Sequence, residues 1–352
     1  MMTQLSDIIQ IPDAPAIPGL TWRHWRDETD FAPMAEIVNI CLAAEGITER
    51  TTAASTANLY LHLPNSKPAR DILLVEANGK LVGYVQTNWY DEDGQRQVCI
   101  LRGFVLPEWQ GQGIGRTLLT WAEGHQRAMA SSRNYSGPQW FQIWTAAKAT
   151  ARIALAEKYG YKVVRYFYTM VCPLTDEMAA AEIPAGIEIR PVRPEHLPAI
   201  YEATFEAFRD HWGHTEPTEG MYQMWVEQPN FDPSLFVVAW DGAEVAGSAI
   251  NLINEEENRA NNYRRGWVDD LSVRRAWRKK GLGRALLIQS LHILKARGMT
   301  EAQLGVDVAN PSGALGLYER VGFRPINTML AYRKEMNKSV TGNDSGLSEQ
   351  TR

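Results

Sequence analysis

The stretch Val273-Arg-Arg-Ala-Trp-Arg-Lys-Lys-Gly281-Leu-Gly283-Arg284 decides which fold this chain is predicted to adopt. An apolar, strand-like run precedes it, and an apolar, helix-like run follows it. A strand, a glycine-rich turn and a helix N-terminus together form an anion site, because unpaired backbone N–H groups and the helix dipole converge on the turn. The two glycines permit backbone torsions and a close approach that a Cβ atom forbids. The stretch therefore predicts a turn that binds a pyrophosphate.

An earlier turn of the same type, Gln110-Gly-Gln-Gly-Ile-Gly115, is one of several features that occur twice. Hairpin signals at Asn78-Gly79 and Asp241-Gly242 precede the two turns, since a type I′ turn needs positive φ at both central residues. An amphipathic run follows each turn, from Arg116 to about Met129 and from Arg284 to about Arg297. Because order and spacing agree, we predict two copies of one α/β domain of about 150 residues each.

The duplicated elements also predict the domain boundaries. We expect an N-terminal domain over residues 18–172 and a C-terminal domain over residues 187–337. Residues 173–186 include an alanine run and prolines and are predicted to form the linker. Residues 338–352 have almost no apolar side chains, a composition typical of a disordered tail.

Composition argues against several classes of protein. Of the 352 residues, 45% are hydrophobic and 22% are charged, which is typical of a globular protein with about two domains. The formal net charge of −5 argues against nucleic acid or an anionic membrane surface as the main partner. Three widely spaced cysteines fit neither a disulfide framework nor a zinc cluster, and no apolar run is long enough to span a bilayer. We therefore expect a soluble, cytoplasmic protein that binds no metal.

The later turn fits the pattern Gln/Arg-x-x-Gly-x-Gly/Ala, and an Asn310…Tyr318…Gly322-Phe323 element follows it. Together with the hairpin, strand and helix around the turn, this combination resembles the GNAT superfamily of acyl-CoA-dependent N-acyltransferases. The resemblance extends over nearly the whole chain, twice. It implies an α/β fold of two tandem domains with a mixed α+β sheet, an architecture similar to that of mycothiol synthase. It also implies an enzyme that transfers acetyl from acetyl-CoA, its co-substrate, to a primary amine by direct attack.

In the second half, the resemblance assigns the residues around the turn to the co-substrate. Backbone groups of Leu271 and Val273, on a strand that splays from its neighbour, would pair with the pantetheine arm. Asn310 would contact CoA from a later loop. The turn and the start of the following helix would hold the diphosphate, through Arg278, Lys279, Lys280, Gly281, Leu282, Gly283 and Arg284.

Three side chains of the second half are the candidate catalytic groups. Asp269 or Asp270 would help to remove a proton from the attacking amine, directly or through water. The hydroxyl of Tyr318 would donate a proton to the departing CoA thiolate. Each carboxylate could instead anchor a neighbouring strand or cation, and Tyr318 could pack as an ordinary helix aromatic. The sequence leaves open which aspartate is the base.

The first half lacks these groups. The position that matches Tyr318 holds Ala156, and the positions that match the two aspartates hold Leu101 and Arg102. A methyl group cannot donate a proton, and a leucine cannot accept one. We therefore predict that the first half is catalytically silent and serves as a packing partner, a wall of the acceptor site or a vestigial cofactor binder.

The acceptor is less well specified than the co-substrate. In the superfamily, helices after the first strand cover the acceptor; here residues 203–216 combine aromatic side chains with Glu206, Asp210, His211 and His214. This composition suits a small pocket with a few placed polar groups. We expect a small-molecule or peptide amine as acceptor and a monomer or homodimer as the assembly. Two alternatives stay open. The protein could be a CoA-responsive regulatory module with little turnover, or it could transfer another acyl group or use a non-amine acceptor.

Overall fold

A computed structural model of the protein describes residues 8–133 and 135–337. The predicted disordered tail at residues 338–352 lies outside the described residues. The strands of the described part are β1 (Ile8–Ile9), β2 (Leu20–His24), β3 (Ile72–Ala77), β4 (Lys80–Glu92), β5 (Arg96–Val105), β6 (Gln139–Ala146), β7 (Lys162–Pro173), β8 (Glu188–Ile189), β9 (Val237–Asp241), β10 (Glu244–Leu252), β11 (Arg265–Val273), β12 (Glu301–Asp307) and β13 (Arg324–Glu335).

The helices of the same residues are α1 (Phe31–Ala44), α2 (Ala53–His62), α3 (Pro68–Asp71), α4 (Ile114–Ser131), α5 (Thr150–Lys158), α6 (Leu197–Phe208), α7 (Glu219–Val226), α8 (Glu255–Asn261), α9 (Leu282–Ala296) and α10 (Ala314–Val321). Within the described ranges, none of them combines the length and the apolar character that a membrane crossing requires.

All of these strands belong to one mixed sheet, in the order β1-β2-β3-β4-β5-β6-β13-β7-β12-β11-β10-β9-β8. In each half, antiparallel pairs lead to one parallel pair, which is β5 with β6 in the first half and β11 with β12 in the second. The same order of strands thus occurs twice, read inward from each edge of the sheet. This topology confirms the predicted mixed sheet and the duplication.

The last strand of each half crosses to the other half. Strand β7 of the first half pairs antiparallel with β12, and strand β13 of the second half pairs antiparallel with β6. The two exchanged strands also pair with each other at the centre of the sheet. Each half therefore completes its sheet with a strand from the other, and hydrogen-bonded pairing is continuous across the predicted boundary between the domains.

Two neighbouring cations hold β13 in the first half. Arg333 donates to the carboxylate of Glu92 at 2.9 and 2.5 Å, and Lys334 donates to Glu123 at 2.5 Å. All four side chains are buried. Because consecutive strand residues point to opposite faces, the two ion pairs lie on opposite faces of the sheet. A slip of one residue in register would separate both cations from their carboxylates.

Helices cover both faces of the sheet in each half. On β3, Leu73 and Val75 pack in the core that includes α4, whereas Ile72 and Leu74 pack in the core that includes α1 and α2. The second half repeats the arrangement, with α9 on one face of β9 and α6 on the other. Burial on both faces explains why these strands are continuous apolar runs in the sequence.

The hairpin turns lie where the sequence predicted them, with one difference. Asn78 and Gly79 have φ of +50° and +77°, which gives the first hairpin the expected type I′ turn. In the second hairpin Asp241 ends its strand, and the loop residues are Gly242, at φ +57°, and Ala243. The Asp-Gly turn prediction was wrong by one position, because only the first loop residue has positive φ, as in a type II′ turn.

The two halves also meet through helices. Helix α2 of the first half packs against α7 of the second. The amide of Asn58 donates to the carbonyl of Met224 at 2.9 Å, and His62 Nε2 lies 3.5 Å from a carboxylate oxygen of Glu227. A helix of the first half is therefore held against the helical layer of the second.

We predict that Arg333→Met lowers the free energy of unfolding by about 3 kcal/mol, because it leaves the carboxylate of Glu92 buried without its main partner. Urea denaturation measures the change. The double variant Glu92→Leu, Arg333→Met should recover most of the loss, since both buried charges are then absent. As a control, Glu188→Gln breaks an exposed pair with Arg190 and should cost less than about 1 kcal/mol. A double variant no more stable than Arg333→Met would contradict this role for the pair.

Candidate active site

The second glycine turn places unpaired backbone N–H groups at the start of helix α9. Gly281 immediately precedes the helix with φ of +84°, and Lys279 has φ of +61°. Among the described residues, the amides of Lys279, Lys280 and Gly281 have no backbone hydrogen-bond partner. The first N–H groups of any α-helix also lack partners within the helix. The turn therefore presents a cradle of donors that suits phosphate oxygens.

Three exposed cations lie beside this turn. The side chains of Lys279, Lys280 and Arg284 form no hydrogen bond or ion pair with any residue that the structure describes. Their positive charge is thus available to an anion at the turn.

Arg278 differs from these three cations because protein groups occupy its side-chain donors. Its Nε donates to the carbonyl of Val273 at 2.9 Å, and its Nη1 donates to Asp210 at 2.7 Å. In the first half, Gln110 makes the matching bond to the carbonyl of Val105 at 3.0 Å. The Gln/Arg of the sequence pattern therefore ties the turn to the end of the preceding strand.

The N-terminal segment contacts the first turn at Gly113 and Arg116. A Cβ atom built on Gly113 lies 3.5 Å from Cβ of Pro15, and Arg116 donates to the carbonyl of Asp13 at 3.0 Å. A Cβ atom built on Gly281 meets no atom within 4 Å. The two turns have the same backbone form, and both have exposed residues, but among the described residues a close contact at the glycine that precedes the helix occurs in the first turn alone.

Strand β11 separates from its parallel neighbour just before the turn. Pairing with β12 covers only Arg265–Trp267, opposite Glu301–Gln303. From Val268 to Val273, the edge of β11 that faces β12 has no strand partner. The predicted splay is therefore present, and Leu271 and Val273 lie on the separated part of the strand.

A β-bulge in β11 lies at the two aspartates. In the register with β10, Asn251 pairs with Val268 and Ile250 pairs with Asp270, which leaves Asp269 as the extra residue. Consecutive side chains of a regular strand point to opposite faces, but a bulge re-aims one of them. As a result, Asp269 and Asp270 line the same cavity.

The protonation of these two carboxyls is shifted by their surroundings. Burial raises the pKa of both Asp269 and Asp270, and the charge of Asp269 raises the pKa of Asp270 further. Asp269 is exposed, but it is exposed to a cavity walled by protein, where a carboxylate is less well hydrated than on the outer surface. The pair therefore binds a proton at higher pH than an ordinary aspartate does.

Tyr318 lies on α10, with its ring in the core of the second half and 7% of its surface exposed. Burial, and then the charge of Asp270, raise the pKa of Tyr318 to about 12. Its hydroxyl therefore stays protonated at neutral pH, and a negative charge on Asp270 disfavours its deprotonation further. Asn310 lies in the loop before this helix, where its amide oxygen accepts from the N–H of Ser312 at 2.9 Å.

The matching positions of the first half belong to its core. Leu155, the residue before Ala156, lies against Gly115 of α4, and Leu317, the residue before Tyr318, lies against Gly283 of α9. These matching neighbours support the equivalence of the two positions. Strand β5 pairs with β4 without a bulge, so that Leu101 is buried in the core and Arg102 donates to Gln86 at 2.8 Å. The first half thus has neither the acid, nor the carboxylates, nor the bulge.

A cavity of ≈ 360 Å³ lies over the aspartates, between helices of the two halves. Helix α2 contributes one wall, and α6, α7 and the loop after α7 contribute the others. The lining residues are Ser55, Asn58, Leu59, Tyr201, Phe205, Met221, Met224, Trp225, Gln228, Pro229, Asn230, Asp269 and Asp270.

None of the four polar residues proposed from the sequence for the acceptor, Glu206, Asp210, His211 and His214, lines this cavity. Asp210 binds Arg275 and Arg278, while Glu206 binds Arg274 at 2.8 Å. The two histidines of residues 203–216 are absent from the lining, to which that segment contributes Phe205. The acidic residues of this segment pair instead with arginines around the glycine turn, and an acceptor site at residues 203–216 stays a prediction.

Sequence reasoning missed two walls of the cavity. The run Met221-Tyr-Gln-Met-Trp225 of α7 was a usable signal, since methionine and aromatic side chains are common in binding pockets. Helix α2 gave no such signal, because it belongs to the first half and lies far from the aspartates along the chain.

Comparison with known proteins identifies the family. The Acetyltransferase (GNAT) family model matches residues 197–323, and the Acetyltransferase (GNAT) domain model matches residues 68–163. The mycothiol acetyltransferase of Streptomyces coelicolor is 30% identical over 274 residues, covering 76% of this chain and 82% of that protein. This chain belongs to the GNAT acetyltransferase family. The mycothiol acetyltransferase of Geodermatophilus obscurus is 26% identical over 300 residues, covering 84% of this chain and 92% of that protein.

Solved structures of GNAT proteins share the fold. A GCN5-related N-acetyltransferase from Sphaerobacter thermophilus superposes with a TM-score of 0.66 at 25% identity, covering 93% of this chain and 97% of that one. A tandem GNAT protein from the clavulanic acid biosynthesis pathway superposes with a TM-score of 0.65 at 17% identity, covering 91% and 99%. The predicted tandem GNAT architecture is confirmed, and as a GNAT acetyltransferase the protein is an enzyme that uses acetyl-CoA for N-acetylation.

The raised pKa of the aspartates predicts how the stability of this GNAT protein depends on pH. Ionised Asp270 destabilises the folded state, so stability falls as pH rises from the ordinary aspartate pKa, about 4, towards the raised value. Asp270→Asn removes this loss. In thermal unfolding, the Tm of Asp270→Asn relative to that of the wild type should increase between about pH 4.5 and about pH 8. A difference that stays constant with pH would contradict the raised pKa.

Proposed function

We propose that acetyl transfer takes place in the second half, residues 187–337, with the first half as a catalytically silent partner. The observation that carries the proposal is the bulge that turns Asp269 and Asp270 into one cavity, near a protonated Tyr318. The open, cationic turn and the splayed strand lie in the same half.

Acetyl-CoA fits the second half through several separate features. Lys279, Lys280 and Arg284, with the N–H groups of Gly281, Leu282 and Gly283, would hold its phosphates. The separated edge of β11 at Leu271 and Val273 would accept its pantetheine arm, with Asn310 alongside. Arg278 would act as a positioning residue, because its side-chain donors already hold the turn to β11 and α6.

The chemistry follows from the protonation states. The amine nitrogen of the acceptor attacks the thioester carbonyl carbon, the new C–N bond forms, and the C–S bond breaks. Asp270, with its raised pKa, accepts the proton that the amine loses, while the charge of Asp269 increases its basicity. Tyr318 donates its proton to the departing thiolate, which is poorly hydrated in the cleft.

The acceptor class is supported by the relatives and by the cavity. The relatives that match over most of their length are mycothiol acetyltransferases, which supports a small-molecule amine as acceptor. The cavity of ≈ 360 Å³ is at the lower end of the size range of small-molecule pockets. We therefore assign a small primary amine rather than a peptide.

We predict that the triple variant Lys279→Ala, Lys280→Ala, Arg284→Ala weakens CoA binding by at least about tenfold, the effect of losing one charge-assisted hydrogen bond. Isothermal titration calorimetry with CoA measures this loss, and the difference from wild type should shrink at high salt. The matched control is Arg116→Ala in the first turn, which should change affinity less than about twofold. Weaker binding by the control alone would assign CoA to the first half.

We predict that Tyr318→Phe lowers kcat by about 10² to 10⁴-fold, because the thiolate loses its proton donor. The KM for acetyl-CoA should change little. Thiol release with the preferred amine measures both constants. Tyr332→Phe, which removes a hydroxyl bonded to Glu157 in the first half, is the control and should retain full turnover. An unchanged kcat in Tyr318→Phe would show that another group protonates the thiolate.

A further inference from the structure

A strand of the first half holds the loop that carries Asn310 in the second half. Strand β7 pairs with β12 as far as Phe167, which lies opposite Asp307. Just beyond this pair, the N–H of Val308 donates to the carbonyl of Tyr166 at 3.0 Å. The loop between β12 and α10 therefore leaves the sheet along a strand that comes from the other half.

Arg165, the neighbour of this contact on β7, binds the loop with its side chain. Its Nε donates to Oδ2 of Asp307 at 3.0 Å, and its Nη2 donates to the carbonyl of Ala309 at 3.3 Å. The other carboxylate oxygen of Asp307 accepts from the N–H of Ala309 at 3.0 Å. One guanidinium thus joins the end of β12 to the middle of the loop, immediately before Asn310.

The ion pair of Arg165 and Asp307 is largely withdrawn from water. The exposed fraction of the side chain is 23% for Arg165 and 9% for Asp307. The ring of Trp212, from the loop after α6, has its centroid 5.9 Å from the guanidinium carbon. Because hydrogen bonds between charged partners are stronger than neutral ones and water screens this pair little, it restricts the loop more than a surface pair does.

Asn310 is held by the part of the loop that Arg165 binds. The N–H of Asn310 donates to the carbonyl of Asp307 at 3.1 Å, and its Oδ1 accepts from the N–H of Ser312 at 2.9 Å. Its Nδ2 forms no hydrogen bond with any residue that the structure describes. The side chain is therefore fixed in place with an amide N–H₂ available, which suits an acceptor oxygen of CoA.

The matching loop of the first half lacks the ion pair. The backbone contact is repeated there, since the N–H of Ala147 donates to the carbonyl of Thr328 at 2.9 Å. By the same register, Asn327 and Ala146 occupy the positions of the arginine and the aspartate. The shared backbone thus forms without this pair, and the pair belongs to the half that has the candidate catalytic groups.

We propose that Arg165 of the first half is a positioning residue for acetyl-CoA in the second half. It holds Asp307 and the backbone of Ala309, and so fixes the loop that presents Asn310 to the co-substrate. This inference rests on the proposed function, because it assumes that CoA binds at the second turn and contacts Asn310. The strand exchange thereby gives the silent half a share in co-substrate binding, through a residue that acts on the loop rather than on CoA itself.

Isothermal titration calorimetry with CoA tests the role of Arg165. Arg165→Met should weaken CoA binding by about tenfold, the effect of losing one charge-assisted hydrogen bond. The matched control is Arg152→Met in the first half, since Arg152 lies 3.2 Å from Glu45 and the exposed fractions of the two side chains, 20% and 11%, are similar. The control should change the affinity less than about twofold. A general loss of stability affects both variants alike, so equal weakening in the control would overturn the proposal.

A double-mutant cycle with Asn310 separates positioning from a structural role. Asn310→Ala should itself weaken CoA binding. Adding Arg165→Met should then cost less than about a further threefold, because no amide is left for the loop to position. Two losses that simply multiply, or full affinity in Arg165→Met, would contradict the role of Arg165.

Hydrogen exchange tests the contact with the loop in the absence of CoA. The backbone N–H groups of residues 308–313 should exchange about tenfold faster in Arg165→Met than in the wild type, and at the wild-type rate in Arg152→Met. Unchanged exchange in Arg165→Met would show that the arginine does not restrain the loop.

The triple variant of Lys279, Lys280 and Arg284 reports separately on the proposed function. If it weakens CoA binding and Arg165→Met does not, the CoA site stands and the role of Arg165 is wrong. If the triple variant binds CoA as tightly as the wild type, the proposed CoA site is wrong, and the role of Arg165 is wrong with it.

Discussion

The antiparallel pairing of β7 with β13 is the constraint on which the rest of the molecule depends. Each of these strands completes the sheet of the half from which it does not come. Because sheet hydrogen bonds fix both distance and register, the exchange fixes how the two halves are placed relative to each other. The buried ion pairs Arg333–Glu92 and Lys334–Glu123 form only in this register and therefore favour it further. The halves are therefore parts of one sheet rather than two independent bodies.

This placement links the duplication to the cavity over Asp269 and Asp270. With the sheet continuous, α2 of the first half lies against α7 of the second, and the cavity forms between them, over the bulge in β11. The bulge turns Asp269 and Asp270 into that cavity, and the surrounding protein raises their pKa. The first half, which has no such carboxylates at the matching positions, is thus still needed to form one wall of the cavity over them.

The candidate site of the second half was largely predictable from local sequence, because the residues that form it are close together along the chain. The strand, the turn and the helix start between Trp267 and Arg284 are contiguous, and their glycines, cations and aspartates are visible in order. Two local details were not predictable. Arg278 pairs with Asp210, which depends on how α6 packs, and the bulge at Asp269 depends on the register with β10. The position of the second hairpin turn was missed by one residue for a similar reason.

The sequence by itself determined the family, the repeated strand–turn–helix unit and the difference between the halves, since Ala156, Leu101 and Arg102 supply neither a phenol nor a carboxylate whatever their surroundings. Only the tertiary structure decided the strand exchange, the contact of Asp13 and Pro15 with the first turn, and the contribution of helix α2 to the cavity over the two aspartates. The physical reason is that propensity, hydrophobic period and motif spacing describe neighbours along the chain. Which strand pairs with which, and which helix then lies over a given carboxylate, is set by packing between residues that are distant in sequence.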